Sequence, residues 1–235
     1  LEEKEQEYAQ LQQEEELYDM RGMLDESIRI QGEVNVRTRK IDAAQQERGS
    51  LSRRHKTDLR GLAKVEGRVR EEVGKVRDML AAERAIVYSY QMKTADLDLE
   101  DVQKRLKDFD PGPVTQDLQR EVLERLTTLR KALDKELKRR DEEQKQQQQQ
   151  QQQPQQRVNR LVPPIAELKM LRGMQEEVNG RTQNLYDAMQ ASGTKRMNRV
   201  QRRILQRVTA TQGNIRELLD ELNSALSEQA EQAME

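Results

Sequence analysis

Apolar residues along this chain recur in steps of three and four, and nowhere in the strict alternation of a strand. From Leu1 to about Glu47 the steps run through Leu17, Met20, Leu24, Ile28, Val34 and Ile41, which predicts a one-sided helix. Gly49 can take the left-handed conformation that closes a helix and Ser50 can cap the next, so a tight turn is expected before Leu51. The second pattern carries Leu59, Leu62, Val69, Val73, Val76, Leu80, Val87 and Tyr90, and keeps its spacing through Val102 and Leu106 as far as Phe109. Read as one helix, at ~1.5 Å per residue it exceeds ~80 Å.

Asp110, Pro111, Gly112 and Pro113 must end that helix, because proline has no N–H and disfavours helical geometry in the residue before it. A third helix follows, with Leu118, Val122, Leu126, Leu129, Leu133 and Leu137 on one side, and decays into the run Gln146 to Gln153 before Pro154. That run has no apolar face to bury and reads as linker. Pro163 and Pro164 suit the first turn of a fourth helix, which continues to about Gln190 through Leu168, Leu171, Val178, Leu185 and Met189. After Ser192 and Gly193, a last helix from about Thr194 to Ala233 places Met197, Val200, Ile204, Val208, Ile215, Leu218, Leu222 and Leu226 on one face.

The expected organisation is a first helical hairpin over 1–109, a connecting amphipathic helix over 114–145, a Gln-rich linker over 146–160 and a second hairpin over 161–235. The expected fold class is all-α, built from long antiparallel, coiled-coil-like hairpins. Composition sharpens this picture. Charged residues are 36% of the chain and aromatic residues 3%, so a narrow seam is possible and a thick globular core is not. The 42 basic and 43 acidic residues nearly cancel, which favours ion pairs on solvated helix faces over a self-repelling disordered chain. With no cysteine, disulfides and thiolate metal sites are excluded. No apolar run approaches the ~20 residues needed to cross a bilayer.

The segment Gln31, Gly32, Glu33, Val34, Asn35, Val36, Arg37, Thr38 reappears as Gln175, Glu176, Glu177, Val178, Asn179, Gly180, Arg181, Thr182, with six of eight positions identical at an offset of 144. Beyond the following turn the offset becomes 146, pairing Leu59 with Leu205, Leu62 with Val208, Gly67 with Gly213 and Val69 with Ile215. An internal duplication of helical hairpins is the expectation. It draws attention to Gln31, Thr38, Gln175 and Thr182, polar residues at seam positions beside Val34 and Val178, where a buried polar side chain sacrifices stability and fixes register. Val34, Ile41, Val178 and Leu185 are the expected seam contacts, with Gln31 and Gln175 setting register; the alternative is that the polar four lie at the seam edge in water.

The residues Leu161 to Arg172 (LVPPIAELKMLR), running into Val178, Asn179, Arg181 and Thr182 behind a low-complexity linker, resemble an uncharacterised group of bacterial coiled-coil proteins directed to the cell envelope. The segment around Thr115, Gln116 and Leu126 is similar to that group as well, whereas Asp110 to Pro113 stands where a shorter glycine-containing turn would be expected. The resemblance brings no activity with it. It implies an envelope location and a signal peptide upstream of Leu1, where the chain opens inside a helical pattern.

Candidate chemistry is sparse. His55 is the only histidine and lies among Arg53, Arg54 and Lys56, which reads as a solvated side chain. Glu14, Glu15 and Glu16 are consecutive, as are Asp141, Glu142 and Glu143, so each set fans around its helix instead of converging on one ion. No glycine-rich phosphate loop occurs. No catalytic residue, cofactor or metal is therefore expected. Residues 195–207 contain no acid, which makes Arg199, Arg202, Arg203 and Arg207 a candidate anion-binding set for nucleic acid or anionic lipid. The competing and favoured use of such a helix is pairing with acidic helices, since net charge is near zero and no aromatics interleave for base stacking. The leading expectation is a non-enzymatic scaffold that binds a protein partner or itself through helical seams.

Overall fold

The computed structural model describes residues 2–149, 161–192, 197 and 199–232. Among these there are six helices and no strand: α1 (Glu2–Arg48), α2 (Arg53–Ala82), α3 (Ile86–Lys107), α4 (Pro113–Gln149), α5 (Pro164–Ser192) and α6 (Arg199–Gln232). They form two compact units, Leu1–Leu161 and Val162–Glu235. Among the described residues no helix is long and apolar enough to cross a membrane.

The first unit is a ring of four antiparallel neighbours, α1 against α2 and α4, and α3 against α2 and α4. The large side chains at the centre of its seam are mostly leucine, methionine and valine. Leu17, Met20 and Leu24 of α1, Leu59, Leu62 and Leu80 of α2, Met92, Leu99 and Leu106 of α3, and Leu126, Leu129 and Leu133 of α4 are all fully buried. At the end of the bundle where the chain passes from α1 to α2, Val34, Ile41, Leu59, Leu62, Val102, Leu106 and Leu118 form one apolar cluster, with Phe109 packed against it.

The turn between α1 and α2 follows local chemistry. Gly49 takes φ +70°, and the hydroxyl of Ser52 accepts a bond from the His55 N–H at 3.1 Å, so Ser52 and not Ser50 caps α2.

The helix expected to run to Phe109 is instead two helices folded back on each other. The break lies at Glu83–Ala85. There Arg84 adopts φ 55°, its N–H bonds the carbonyl of Ala81 at 3.1 Å, and the Ala85 N–H bonds that of Leu80 at 2.9 Å. This pair of bonds is the Schellman closure that usually employs glycine. The α3 end repeats it, with Phe109 at φ 61° and bonds from Phe109 to Leu106 and from Asp110 to Arg105. An unbroken helix would leave the apolar residues of α3 in water. Folding back lets Val87, Met92, Leu99 and Val102 bury against the rest of the unit.

The helix expected to act as a connector over 114–145 is the fourth wall of the first unit, because Leu118, Val122, Leu126, Leu129, Leu133 and Leu137 are all buried. Of the expected Gln-rich linker, Gln146–Gln149 continue α4, and 150–160 lie outside the described residues. The expected break at Gly193 and the start of the last helix before 197 also lie outside them. In the second unit α5 packs on α6.

A left-handed, non-glycine residue is strained by about 1 kcal/mol, and the Arg84 side chain is exposed. Arg84→Gly is expected to raise the thermal midpoint of the first unit, with a gain of up to about 1 kcal/mol by chemical denaturation. An unchanged or lowered midpoint would contradict the strain.

Candidate helix-interaction site

Three helices of the first unit bring polar side chains to one level of a largely apolar seam. Gln31 follows Leu17 and Leu24 at heptad spacing on α1, Glu66 lies midway between Leu59 and Val73 on α2, and Gln119 lies between Leu118 and Val122 on α4. All three are fully buried. The carboxyl Oε1 of Glu66 accepts from Gln119 Nε2 at 2.7 Å and from Gln31 Nε2 at 3.1 Å. Gln31 Nε2 also donates to Asn35 Oδ1 at 2.8 Å, Gln119 Nε2 to Thr38 Oγ1 at 3.1 Å, and Asn35 Nδ2 to the Gln119 carbonyl at 3.1 Å. One turn away Gln116 donates to Asp42 at 2.8 Å. Asn35, Thr38, Asp42 and Glu66 together form the seat on which α4 rests.

Burial pushes the Glu66 carboxyl up to about 7, against the opposing pull of the hydrogen bonds from Gln119 and Gln31. Glu66 Oε2, Gln31 Oε1 and Gln119 Oε1 are buried with no hydrogen-bond partner. As an ionised carboxylate Glu66 leaves the group with three acceptors and no donor between them. A proton on Oε2 supplies one, and desolvation favours that protonated state.

The second unit contains the same pattern with the same partners. Gln175 Nε2 donates to Asn179 Oδ1 at 3.0 Å, and the Gln175 and Gln212 carboxamides each donate a hydrogen bond to the other, at 2.8 and 2.9 Å. Gln175 and Asn179 are Gln31 and Asn35 displaced by 144, and Gln212 is Glu66 displaced by 146. What differs is the cover. Beside this layer lies an open cleft of about 640 Å³, lined by Val178, Asn179, Thr182 and Tyr186 of α5 and by Val208 and Gln212 of α6. The counterparts of all four seat residues, Asn179, Thr182, Tyr186 and Gln212, are in that lining.

Val34, Ile41, Val178 and Leu185 are buried, the first pair in the apolar cluster of the first unit. Gln31 lies in the closed layer and Gln175 in the open one. Of the candidate anion-binding set, Arg202 is exposed and Arg207 half-buried, while the side chains of Arg199 and Arg203 lie outside the described residues. Glu66, Gln119 and Gln212 were not singled out by sequence. The signal available for Glu66 and Gln212 was their place midway between Leu59 and Val73, and between Leu205 and Leu219. Gln119 had none, because its partners are 53 and 81 residues away along the chain. Among the described residues no group of three or more acidic or histidine side chains is arranged to hold a metal ion.

Comparison with protein-family models, with curated proteins and with solved structures gives no match.

A carboxyl raised from 4.5 to about 7 stabilises the fold fully below pH 4.5 and loses that contribution as pH rises through 7. The loss amounts to roughly 3 kcal/mol, since each tenfold change in proton affinity is worth about 1.4 kcal/mol. Denaturation of Glu66→Gln alongside the parent at a series of pH values is expected to show the variant gaining relative stability between these limits. A difference that stays flat with pH would contradict the buried proton.

Proposed function

We propose that this chain is a non-enzymatic helical scaffold, internally duplicated, that acts by presenting helical seams to other helices. The observation that carries the reading is the contrast between its two hairpins. The first is sealed by α3 and α4. The second repeats the same hydrogen-bonded layer and leaves an apolar cleft open beside it. Such a surface suits a helix laid into a groove, recognised through anchors at heptad spacing and one polar layer. The resemblance to envelope-directed coiled-coil proteins agrees with a scaffold and proposes the cell envelope as its location.

The basic start of α6 supports a second reading, attachment to nucleic acid or an anionic lipid surface through Arg199, Arg202, Arg203 and Arg207. Two features weigh against it. The later part of the same helix carries Glu217, Asp220 and Glu221, and its exposed apolar residues are Ile204, Leu205 and Leu219, with no aromatic among them.

Val178→Asp puts a carboxylate into the α5–α6 seam at a position 5% exposed, and is expected to cost upwards of about 2 kcal/mol. Circular dichroism should show the melting step of α5 and α6 lost while that of the first unit remains. Retained helicity with an unchanged melting curve would remove the seam from consideration. Titration with duplex DNA at increasing salt tests the second reading. Binding that weakens steeply with salt would favour it over the scaffold.

A further inference from the structure

One face of the second hairpin lacks the cover that its counterpart has in the first unit. On α1 the stripe Leu24, Gln31, Thr38 is fully buried, each at 0% exposure; on α5 its counterpart is Leu168 at 38% exposure, the half-buried Gln175 and the exposed Thr182. On α2 the stripe Leu59, Glu66, Val73 is likewise at 0%; on α6 its counterpart is Leu205 at 38%, the exposed Gln212 and Leu219 at 40%. Gly67 tells the same story from the backbone. A side chain there would meet Gln103 of α3 at 2.5 Å, whereas a Cβ at its counterpart Gly213 would meet no other segment within 4 Å. The face that α3 and α4 cover in the first unit is thus open in the second.

We infer that the open face of α5 and α6 is covered by the same face of a second copy of this chain, giving a four-helix bundle with a twofold axis through the Gln175–Gln212 layer. The inference rests on the scaffold reading and names its partner. Three features select a copy over an unrelated helix.

The α6 stripe is palindromic about the layer. An antiparallel copy of α6 centred on Gln212 sets Leu205 against Leu219 of its partner and Gln212 against Gln212. A copy of α5 centred on Gln175 sets Leu168 against Thr182.

The polar residue has also changed in the sense that self-pairing requires. A buried carboxyl such as Glu66 needs donors from other residues, as Gln31 and Gln119 supply them, and two of them facing across a twofold axis would have to share a proton or repel. A carboxamide carries both donors and an acceptor, so Gln212 can pair with its own image.

Charge is the third feature. The first half of α6 holds Arg199, Arg202, Arg203 and Arg207 without an acid, and the second half holds Glu217, Asp220, Glu221, Glu228 and Glu231 with only Arg216. This order runs against the helix dipole, which favours acids at the start and bases at the end. On α5, Arg181 and Asp187 run alongside the basic half, and Glu167, Lys169 and Arg172 alongside the acidic half, which offsets little of the separation. An antiparallel copy sets each remaining half against its opposite.

The test is the mass of the full chain by light scattering at about 100 µM, a concentration at which an interface of standard size is populated. The parent is expected at twice the chain mass, and the double variant Leu205→Glu, Leu219→Glu at half the parent value, with helicity by circular dichroism unchanged because both positions are exposed. The register is read separately with single cysteines, since the chain has none of its own. A short bis-maleimide should link Q212C to itself, and should link L205C to L219C when the two chains are mixed. A parent monomer, a double variant that keeps the dimer mass, or a Q212C chain that does not cross-link would each overturn the proposal. A monomer that ignores duplex DNA leaves the scaffold reading standing and removes self-pairing alone, whereas a monomer that binds DNA with a steep salt dependence removes both.

Discussion

Glu66 holds its carboxyl out of water in the middle of a largely apolar seam, and the arrangement of the first unit is tied to how that carboxyl is satisfied. Its two donors come from different helices, Gln31 from α1 and Gln119 from α4. Leucine seams of this kind tolerate several alignments, since one heptad resembles the next. Sliding α4 by a single turn in one direction would bring Val122 to Glu66 and leave a polar group buried without a partner, which costs more than a good hydrogen bond contributes, whereas the opposite slide would bring Thr115 and Gln116. The layer therefore disfavours one sense of sliding more strongly than the other. At neutral pH it also weakens the fold, because the desolvated carboxyl is more stable protonated.

The numerous surface ion pairs do less. Arg70 bridges Asp96 and Glu100, and Arg21 and Arg130 bridge α1 to α4 through Asp134 and Asp25, but these groups are at least partly in water. Each such pair contributes about 0–1 kcal/mol. Stability comes from the seam, and the seam is thin because the chain has one phenylalanine and no tryptophan. Four helices can close around it. Two helices built to the same pattern cannot, and Leu168, Leu205 and Leu219 remain half in water on the second hairpin as a result.

The features legible in the sequence are those set by local backbone chemistry. Gly49 ended α1 because a positive φ suits glycine, and Pro111 and Pro113 confined α3 because proline cannot continue a helix. The reversal at Arg84 had no such marker. An arginine can take the left-handed conformation at a modest cost, and what repays it is the packing of α3 on α2 and α4, a contact between distant segments that periodicity along one segment cannot report. The polar layer divides in the same way. Gln31 and Gln175 stood out through the repeated QxEVNxRT segment, whereas Glu66 acquires its meaning only when α4 brings Gln119 to it.

The exchange of Glu66 for Gln212 between otherwise corresponding layers connects these points. A carboxyl at that level demands donors from a third helix, so a hairpin that carries it is complete only when a dissimilar helix covers it, as α4 does. A carboxamide at the same level is already paired with Gln175 inside its own hairpin and still has a donor and an acceptor to offer. The hairpin then needs no dissimilar neighbour to satisfy its polar atoms, but its flanking leucines still need cover. One residue thus separates a hairpin that must be closed from within its own chain from one that can be closed from outside.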